Sequence, residues 1–536
     1  LLYIQTCAAE KRRRRKKKQF PDPDKRIFIN PDVCEGCGDC GVKSNCVAIL
    51  PLETELGRKR QIDQSACNKD FSCVNGFCPS FVTLTGAKVK KPKAESVNIP
   101  DLPAPALPAI NGTFNIVATG VGGTGIVTVG ALLAMAAHLE GKGAGMMEMA
   151  GLAQKGGAVT VHCRIANTPE DISAVRVANG EMDALIGGDI VTSSGTPNLG
   201  LMSRGRTRAI CNSHEIITGA FTKDTEFSLP GDQMETALRG RIGADALTMI
   251  EATRMAERYL GDAIYANVLL LGAAWQAGLV PLGLEALERA IELNGAGVAG
   301  NKLALKVGRW AIAFPEQAHA SDAPKAPLDL EATIAFRADH LAKFQNAKLA
   351  ARYKARIAGA REIDADFAMA LAKGYHKLLA YKDEYEVARL HRETLEKAVA
   401  AQFEDVRNMR FHMAPPIFGR KDKSGNPVKS EFGPWMMRAF GLLARLKGLR
   451  GTWADPFGRS AERKMERALI TQYEGDMDRV SARFTPETAE TCIALAELPL
   501  KIRGFGHVKL AAVGRFEKDR AALLAALDSP QKMAAQ

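Results

Sequence analysis

Seven of the eleven cysteines crowd into one short window, at positions 34, 37, 40, 46, 67, 73 and 78. Scattered cysteines suggest core packing or disulfides, whereas one dense window suggests a metal site. The window opens Cys34-Glu35-Gly36-Cys37-Gly38-Asp39-Cys40. A Cys-x2-Cys-x2-Cys run wraps backbone around a cube of iron and sulfide, and a distant cysteine completes the set. In two-cluster chains of this kind the last cysteine of each run ligates the other cluster. That crossing assigns Cys34, Cys37, Cys40 and Cys78 to a first cluster, with Pro79 following Cys78 as the pattern asks.

The second half departs from the pattern. It reads Cys67-Asn68-Lys69-Asp70-Phe71-Ser72-Cys73, so an aspartate stands where the middle cysteine is usual. Cys46 is the remaining cysteine of the first run, although five residues separate it from Cys40. The second set is then Cys46, Cys67 and Cys73 with Asp70. A carboxylate oxygen is a harder ligand than thiolate, which implies a labile iron and makes the second cluster four-iron or three-iron. The alternative is that Asp70 is a solvent-facing loop residue and that Cys7 or no residue takes its place. Zinc is the competing metal, but two zinc sites need no Cys-x2-Cys-x2-Cys triplet.

A second motif is Gly120-Val121-Gly122-Gly123-Thr124-Gly125, between an apolar strand at 115–119 and an apolar helix at 126–139. Gly120, Gly122 and Gly125 fit G-x-G-x-x-G, whose helix-start amides hold a phosphate in dinucleotide enzymes. Glu148 is the one acidic residue placed to end a second strand. The same glycines also serve as a tight structural turn, and the motif alone decides nothing. His412 and His507 lie beside Pro- and Gly-rich stretches; neither is assigned a catalytic role.

These residues need elements to position them. Residues 20–85 form a small cluster domain, with a strand at 27–30 leading into the triplet. Residues 86–113 form a Pro-rich linker, extended and semi-rigid. An α/β domain spans 114–314, with strands at 115–119, 158–165, 184–186 and 207–211 and helices at 251–277, 284–293 and 301–312. Residues 328–536 read as a helical domain, in which Phe367, Leu371, Tyr375, Leu378 and Leu379 mark one amphipathic face.

The chain has 536 residues, 46% hydrophobic and 25% charged, which excludes a mostly disordered polypeptide. No apolar run is long enough to span a bilayer. The net charge is +12, but the run Lys11–Lys18 supplies eight of those charges. The remainder is unremarkable, so neither nucleic acid nor membrane is expected as a partner. With no secretory signal, a cytoplasmic, reducing location is expected. The first residue is Leu, which reads as an internal boundary with polypeptide preceding it.

Taken together, CEGCGDC, GVGGTG and GLAQKGGAVTVHCRI resemble the bacterial indolepyruvate:ferredoxin oxidoreductases of the fused single-chain type, within the 2-oxoacid:ferredoxin oxidoreductases. CNSHEIITGAFT and AIELNGAGVAGNKLALKVGR are similar to their γ-type domain, and FGPWM, LRGTWADPFGRS and IRGFGHVK to their C-terminal domain. The resemblance implies a multidomain α/β protein: a ferredoxin-like 4Fe-4S domain, a Rossmann-like α/β γ-type domain, then a mostly α-helical domain. It implies thiamine-dependent oxidative decarboxylation of an arylpyruvate, CoA as acyl acceptor, and single electrons passed through iron–sulfur clusters to ferredoxin. The thiamine signature of that family, Gly-Asp-Gly, is missing from the sequence. The thiamine-binding half is therefore expected before Leu1, with residues 1–19 as its trailing end. Ferredoxin, those upstream domains and a second copy of the chain are the expected partners. An NAD-linked iron–sulfur oxidoreductase using residues 120–125 is the alternative.

Overall fold

The computed structural model describes residues 6–90, 94–150, 157–215, 224, 227, 229–319, 327–415, 420–421 and 427–528. The chain divides into two compact units: residues 1–13 with 91–324, and residues 14–90 with 325–536.

The second unit begins with the cysteine-rich segment. Its elements are β1 (Lys25–Ile29), α1 (Asp39–Ser44), β2 (Ile49–Leu52), β3 (Lys59–Ile62) and β4 (Phe81–Thr85). Strands β1 and β4 pair antiparallel, with Ile27 opposite Thr83, and β2 pairs with β3 as a hairpin. Side chains alternate across a strand, so β1 serves two cores. Ile27 and Ile29 join the cysteines, while Phe28 packs with Val82 and Leu84 on the other face.

The first unit is built on a six-stranded sheet. Its elements are β5 (Thr113–Val121), α2 (Ile126–Leu139), β6 (Gly143–Ala150), β7 (Ala158–Ala166), β8 (Ala184–Gly187), β9 (Arg208–Asn212), β10 (Leu247–Ile250), α3 (Ala266–Gln276) and α4 (Val298–Ala313). The order is β10-β9-β8-β5-β7-β6. The first four strands run parallel, and β7 is antiparallel to both neighbours. Ile116 and Ala118 of β5 face one core and Val117 the other, as expected for a strand covered on both faces. Helix α3 is buried all round, and its Gly272 lies against the Leu305 carbonyl of α4. No side chain other than glycine fits so close a backbone approach.

Two details of this unit differ from the sequence reading. The single helix over 251–277 is two, Ala252–Leu260 and α3, because Gly261 adopts φ +74° and Asp262 restarts the chain by accepting the Ile264 amide at 3.0 Å. Residues 94–112 carry no regular structure, yet they are not free: Val97, Ile99, Leu102 and Ile110 pack against the core, and Gln276 donates to the Pro103 carbonyl at 2.8 Å.

The rest of the second unit contributes α5 (Leu330–Phe344), α6 (Ala365–Leu379), α7 (Glu384–Gln402), β11 (Asn408–Met413), β12 (Ser430–Phe432), α8 (Met436–Arg445), α9 (Ala461–Ala482) and α10 (Gly506–Asp528). Asp329, Asp364 and Asp383 cap α5, α6 and α7 by accepting an N-terminal amide at 2.8–2.9 Å, which satisfies an otherwise orphaned donor. The five residues of the expected amphipathic face on α6 all lie in the helical core. Within the mostly helical 328–536, the irregular stretches noted around His412 and Phe432 form strands β11 and β12. Strand β11 pairs with β4, and β12 with β11, giving one sheet in the order β1-β4-β11-β12. Phe411, opposite Val82, and Phe440 close the core beneath that sheet. Among the described residues no helix is long and apolar enough to cross a membrane.

Candidate metal centre

The first cysteine set is positioned by turns at both ends of the β1–β4 pair. Asn30 ends β1, and its amide donates to the Ser80 carbonyl at 2.8 Å, which holds the Cys34 loop beside Cys78. Gly36 and Gly38 adopt φ +69° and +75°, the left-handed conformation that lets the triplet curl. A side chain at Gly36 would strike the Arg58 carbonyl. Cys34, Cys37, Cys40 and Cys78 line one small cavity with Ile29, Arg60, Phe77 and Phe81.

Burial and the neighbouring sulfurs Cys78 and Cys34 push the Cys37 thiol well up; Cys40 responds in the same way to burial and to Cys34, Cys78 and Cys37. Burial raises Cys78 to about 11, with Cys34 adding and Lys429 opposing. Four thiolates in one apolar pocket repel each other, so an added cationic group is what stabilises their charged form. The donor set is all sulfur, which suits iron and sulfide.

The second set gathers at the turn after Cys67. Burial pushes Cys73 up to about 12, and Cys46, Cys67 and Asp70 add to that shift. These are the residues that the spacing groups. Ser44 donates its hydroxyl to the Cys40 carbonyl at 2.7 Å and accepts the Cys46 amide at 3.3 Å, tying the two sets together through α1. Asp70 is exposed, and its carboxylate accepts the Ser72 amide at 3.2 Å and the Ser72 hydroxyl at 3.1 Å. It thus caps a short turn in this structure. Among the described residues, no three His, Cys, Asp or Glu side chains converge tightly enough for a single metal ion.

Several charged residues around the first set left no trace in the sequence reading. Arg60 is 1% exposed and lines the cavity. Lys429 donates to the carbonyls of Gly76 and Cys78 and lies 4.5 Å from the Phe81 ring centroid. Glu35, between Cys34 and Cys37, pairs with Lys377 and with Lys382, the latter at 3.0 Å. Burial alone would raise its carboxyl, but Lys377, Lys382, Lys59 and Lys509 outweigh that and hold it well below the usual range. Lys377, Lys382 and Lys509 come from over 300 residues away, so no local pattern marks them.

His391 donates from Nε2 to the Pro79 carbonyl at 2.9 Å, leaving Nδ1 to accept from Asn30 at 3.4 Å. It clamps both ends of the cysteine frame. His412 lies 2.7 Å from the Thr83 hydroxyl, and His507 packs on Phe77. Cys163, Cys211 and Cys492 are core residues, and Cys7 belongs to the other unit.

Two glycines of the loop are closely packed, while Gly123 is exposed with nothing against it. A Cβ at Gly120 would meet Ile126, and one at Gly125 would meet Asn267. Asn267 donates to the Gly125 carbonyl at 2.9 Å, and the Gly122 amide donates to the Gly157 carbonyl at 2.8 Å. Glu148 is exposed on β6, with β7 between it and β5. Gly151–Gly156 and 216–222 of the resemblance motifs, and residues 416–418 after His412, lie outside the described residues.

A mixed α/β unit with a glycine turn, joined in one chain to a cysteine-rich frame, defines the class. Residues 115–311 match the family of pyruvate ferredoxin/flavodoxin oxidoreductases, and residues 330–522 match a family of unknown function. Indolepyruvate oxidoreductase subunit IorB of Archaeoglobus fulgidus is 30% identical over 197 residues, 36% of this chain and 93% of that protein. The IorB subunit of Thermococcus kodakarensis is 26% identical over 181 residues, 34% of this chain and 86% of that one. Among solved structures, the pyruvate oxidoreductase subunit PORC of Thermotoga maritima is 22% identical, covering 37% of this chain and 95% of its own, at a TM-score of 0.26. The keto/oxoacid ferredoxin oxidoreductase γ subunit of Geobacter sulfurreducens gives 22%, 37%, 98% and 0.26. The chain belongs to the 2-oxoacid:ferredoxin oxidoreductase family.

Proposed function

We propose that this chain is the electron-transfer and γ-type portion of an indolepyruvate (arylpyruvate):ferredoxin oxidoreductase. The observation that supports the proposal is the cysteine frame: six of the seven clustered cysteines join one apolar cluster, and Cys37 shares a cavity with Cys34, Cys40 and Cys78, in a member of this family. Cys34, Cys37, Cys40 and Cys78 would hold a 4Fe-4S cluster, and Cys46, Cys67 and Cys73 with Asp70 a second, of four or three irons. When bound, such clusters supply one-electron steps between a two-electron oxidation and ferredoxin. The protein's part is to hold the thiolates, exclude water with Ile29, Phe77 and Phe81, and place Arg60 and Lys429 where they offset negative charge. Thiamine diphosphate and CoA would be bound by other domains, since this sequence has no Gly-Asp-Gly. The 120–125 loop is a packing turn in this reading, not a nicotinamide site.

The test is anaerobic reconstitution. The chain should take up roughly seven or eight irons with matching sulfide. Alone it should not oxidise indolepyruvate; with a thiamine-binding half and CoA it should reduce ferredoxin or a viologen. Stoichiometric zinc without a visible chromophore, or turnover by the isolated chain, would refute the assignment.

A further inference from the structure

A second cavity in the same unit is not used by anything above. It opens between the β2–β3 turn and helices α5 and α6, has a volume of about 320 Å³, and is lined by Lys59, Arg337, Lys373, Lys377 and Lys382 against Glu35 and Glu55. Lys377 and Lys382 are already neutralised in part by Glu35. Glu55 is exposed, and it meets Arg337 through its backbone carbonyl, at 2.8 Å from Nη2.

Arg337 is 5% exposed, and its Nε and Nη1 have no hydrogen-bond partner among the described residues. Lys59 is likewise 5% exposed; burial first and then Lys382 hold its ammonium down to about 7, with Glu35 opposing. A buried cation with unused donors is costly unless a partner arrives. His340 and His376 contribute no charge: their rings meet at 3.1 Å, and burial holds His340 at about 4 and His376 well below its usual value. Leu56, Leu328 and Leu500 supply an apolar wall.

We propose that this pocket binds a phosphate-bearing small molecule carrying at least two negative charges. Arg337 and Lys373 have no carboxylate partner among the described residues, and an arriving anion would draw Lys59 into its charged form, so a monocarboxylate would leave net positive charge in a buried site, whereas a phosphate ester or diphosphate balances it. Arg and Lys donors both suit phosphate oxygens. The volume exceeds that of a free phosphate group and leaves room for an organic body against the leucines.

Calorimetric titration of the full chain tests this with inorganic pyrophosphate and, separately, adenosine diphosphate at fixed ionic strength. Saturable one-to-one binding is expected, weakened roughly tenfold or more by Arg337→Gln and by Lys59→Gln, and less by Arg337→Lys. Tighter binding of the nucleotide would mean that the site takes an organic phosphate, and equal binding that it takes the phosphate alone; either upholds the site. Circular dichroism checks that each variant is folded, and Lys59→Gln remains informative if Arg337→Gln is not. No saturable binding of either probe at millimolar concentration, or affinities unchanged in the folded variants, would overturn it.

Discussion

Replacing His391 with Phe should destabilise the protein at pH 8 and lose that effect by pH 4.5. The ring is fully buried, stacks on Phe440 with centroids 5.1 Å apart, and meets Phe411 edge-on at 5.5 Å. Phe preserves those contacts. What goes is the donor to the Pro79 carbonyl at 2.9 Å and the acceptor for Asn30 at 3.4 Å. An orphaned buried carbonyl costs ~1–3 kcal/mol, and the longer contact adds less, so about 2 kcal/mol is expected at pH 8. Burial holds the His391 imidazole at about 4, against 6.5 unfolded. As pH falls below 6.5 the unfolded chain gains a proton that the folded one refuses. Wild-type stability therefore declines through this window, by about 2.5 kcal/mol at pH 4.5. The variant has no such group. Its melting temperature should lie about 4–8 °C below wild type at pH 8 and meet or exceed it at pH 4.5. His340 and His412, also held at about 4, act alike in both proteins and cancel. A melting gap of the same size at both pH values would refute the reasoning.

Asp70→Cys should convert the second set to four thiolates and stabilise a four-iron form there; electron paramagnetic resonance of the oxidised protein reads it, and a three-iron signal identical in both proteins would mean that Asp70 is no ligand. Asp383→Asn should cost about 3–5 kcal/mol in urea denaturation, because it strips the carboxylate from Arg450, both side chains being 3% exposed and joined at 2.6 and 2.9 Å. Gly125→Ala should destabilise the first unit by roughly 1–2 kcal/mol or more, from φ +87° and the approach of Asn267, with a lowered melting temperature as the readout.

The parts of the fold written in short-range pattern were legible. Helix α2 and strands β5, β7, β8 and β9 follow from apolar runs bounded by glycine. Strand β10 was missed because Leu247–Ile250 runs straight into the helix that starts at Ala252, and β6 was touched on only through Glu148, because Gly143 and Gly145 dilute its pattern. The stretch around His412 was noticed as irregular but not as a strand, since its partner β4 lies over 300 residues upstream. The charged surround of Cys34–Cys40 was invisible for the same reason: Lys377, Lys382 and Lys429 look like ordinary surface lysines until the helices bring them to Glu35 and Cys78. Asp70 was singled out from its position in the pattern, and the structure adds its bonds to Ser72.

The sheet β1-β4-β11-β12 also sets a timetable for biogenesis. A free-standing ferredoxin can close around its cofactor as soon as its own short chain is made. Here the frame that presents Cys78 is finished by strands ending at Phe432, about 350 residues after β4. At roughly 5–20 residues per second, the ribosome delivers them tens of seconds later. Until then the seven thiols are tethered to an unfinished sheet with an open edge. On the reading proposed above, cluster loading would follow translation of most of the chain, and the interval is one in which oxidation of the cysteines competes with assembly.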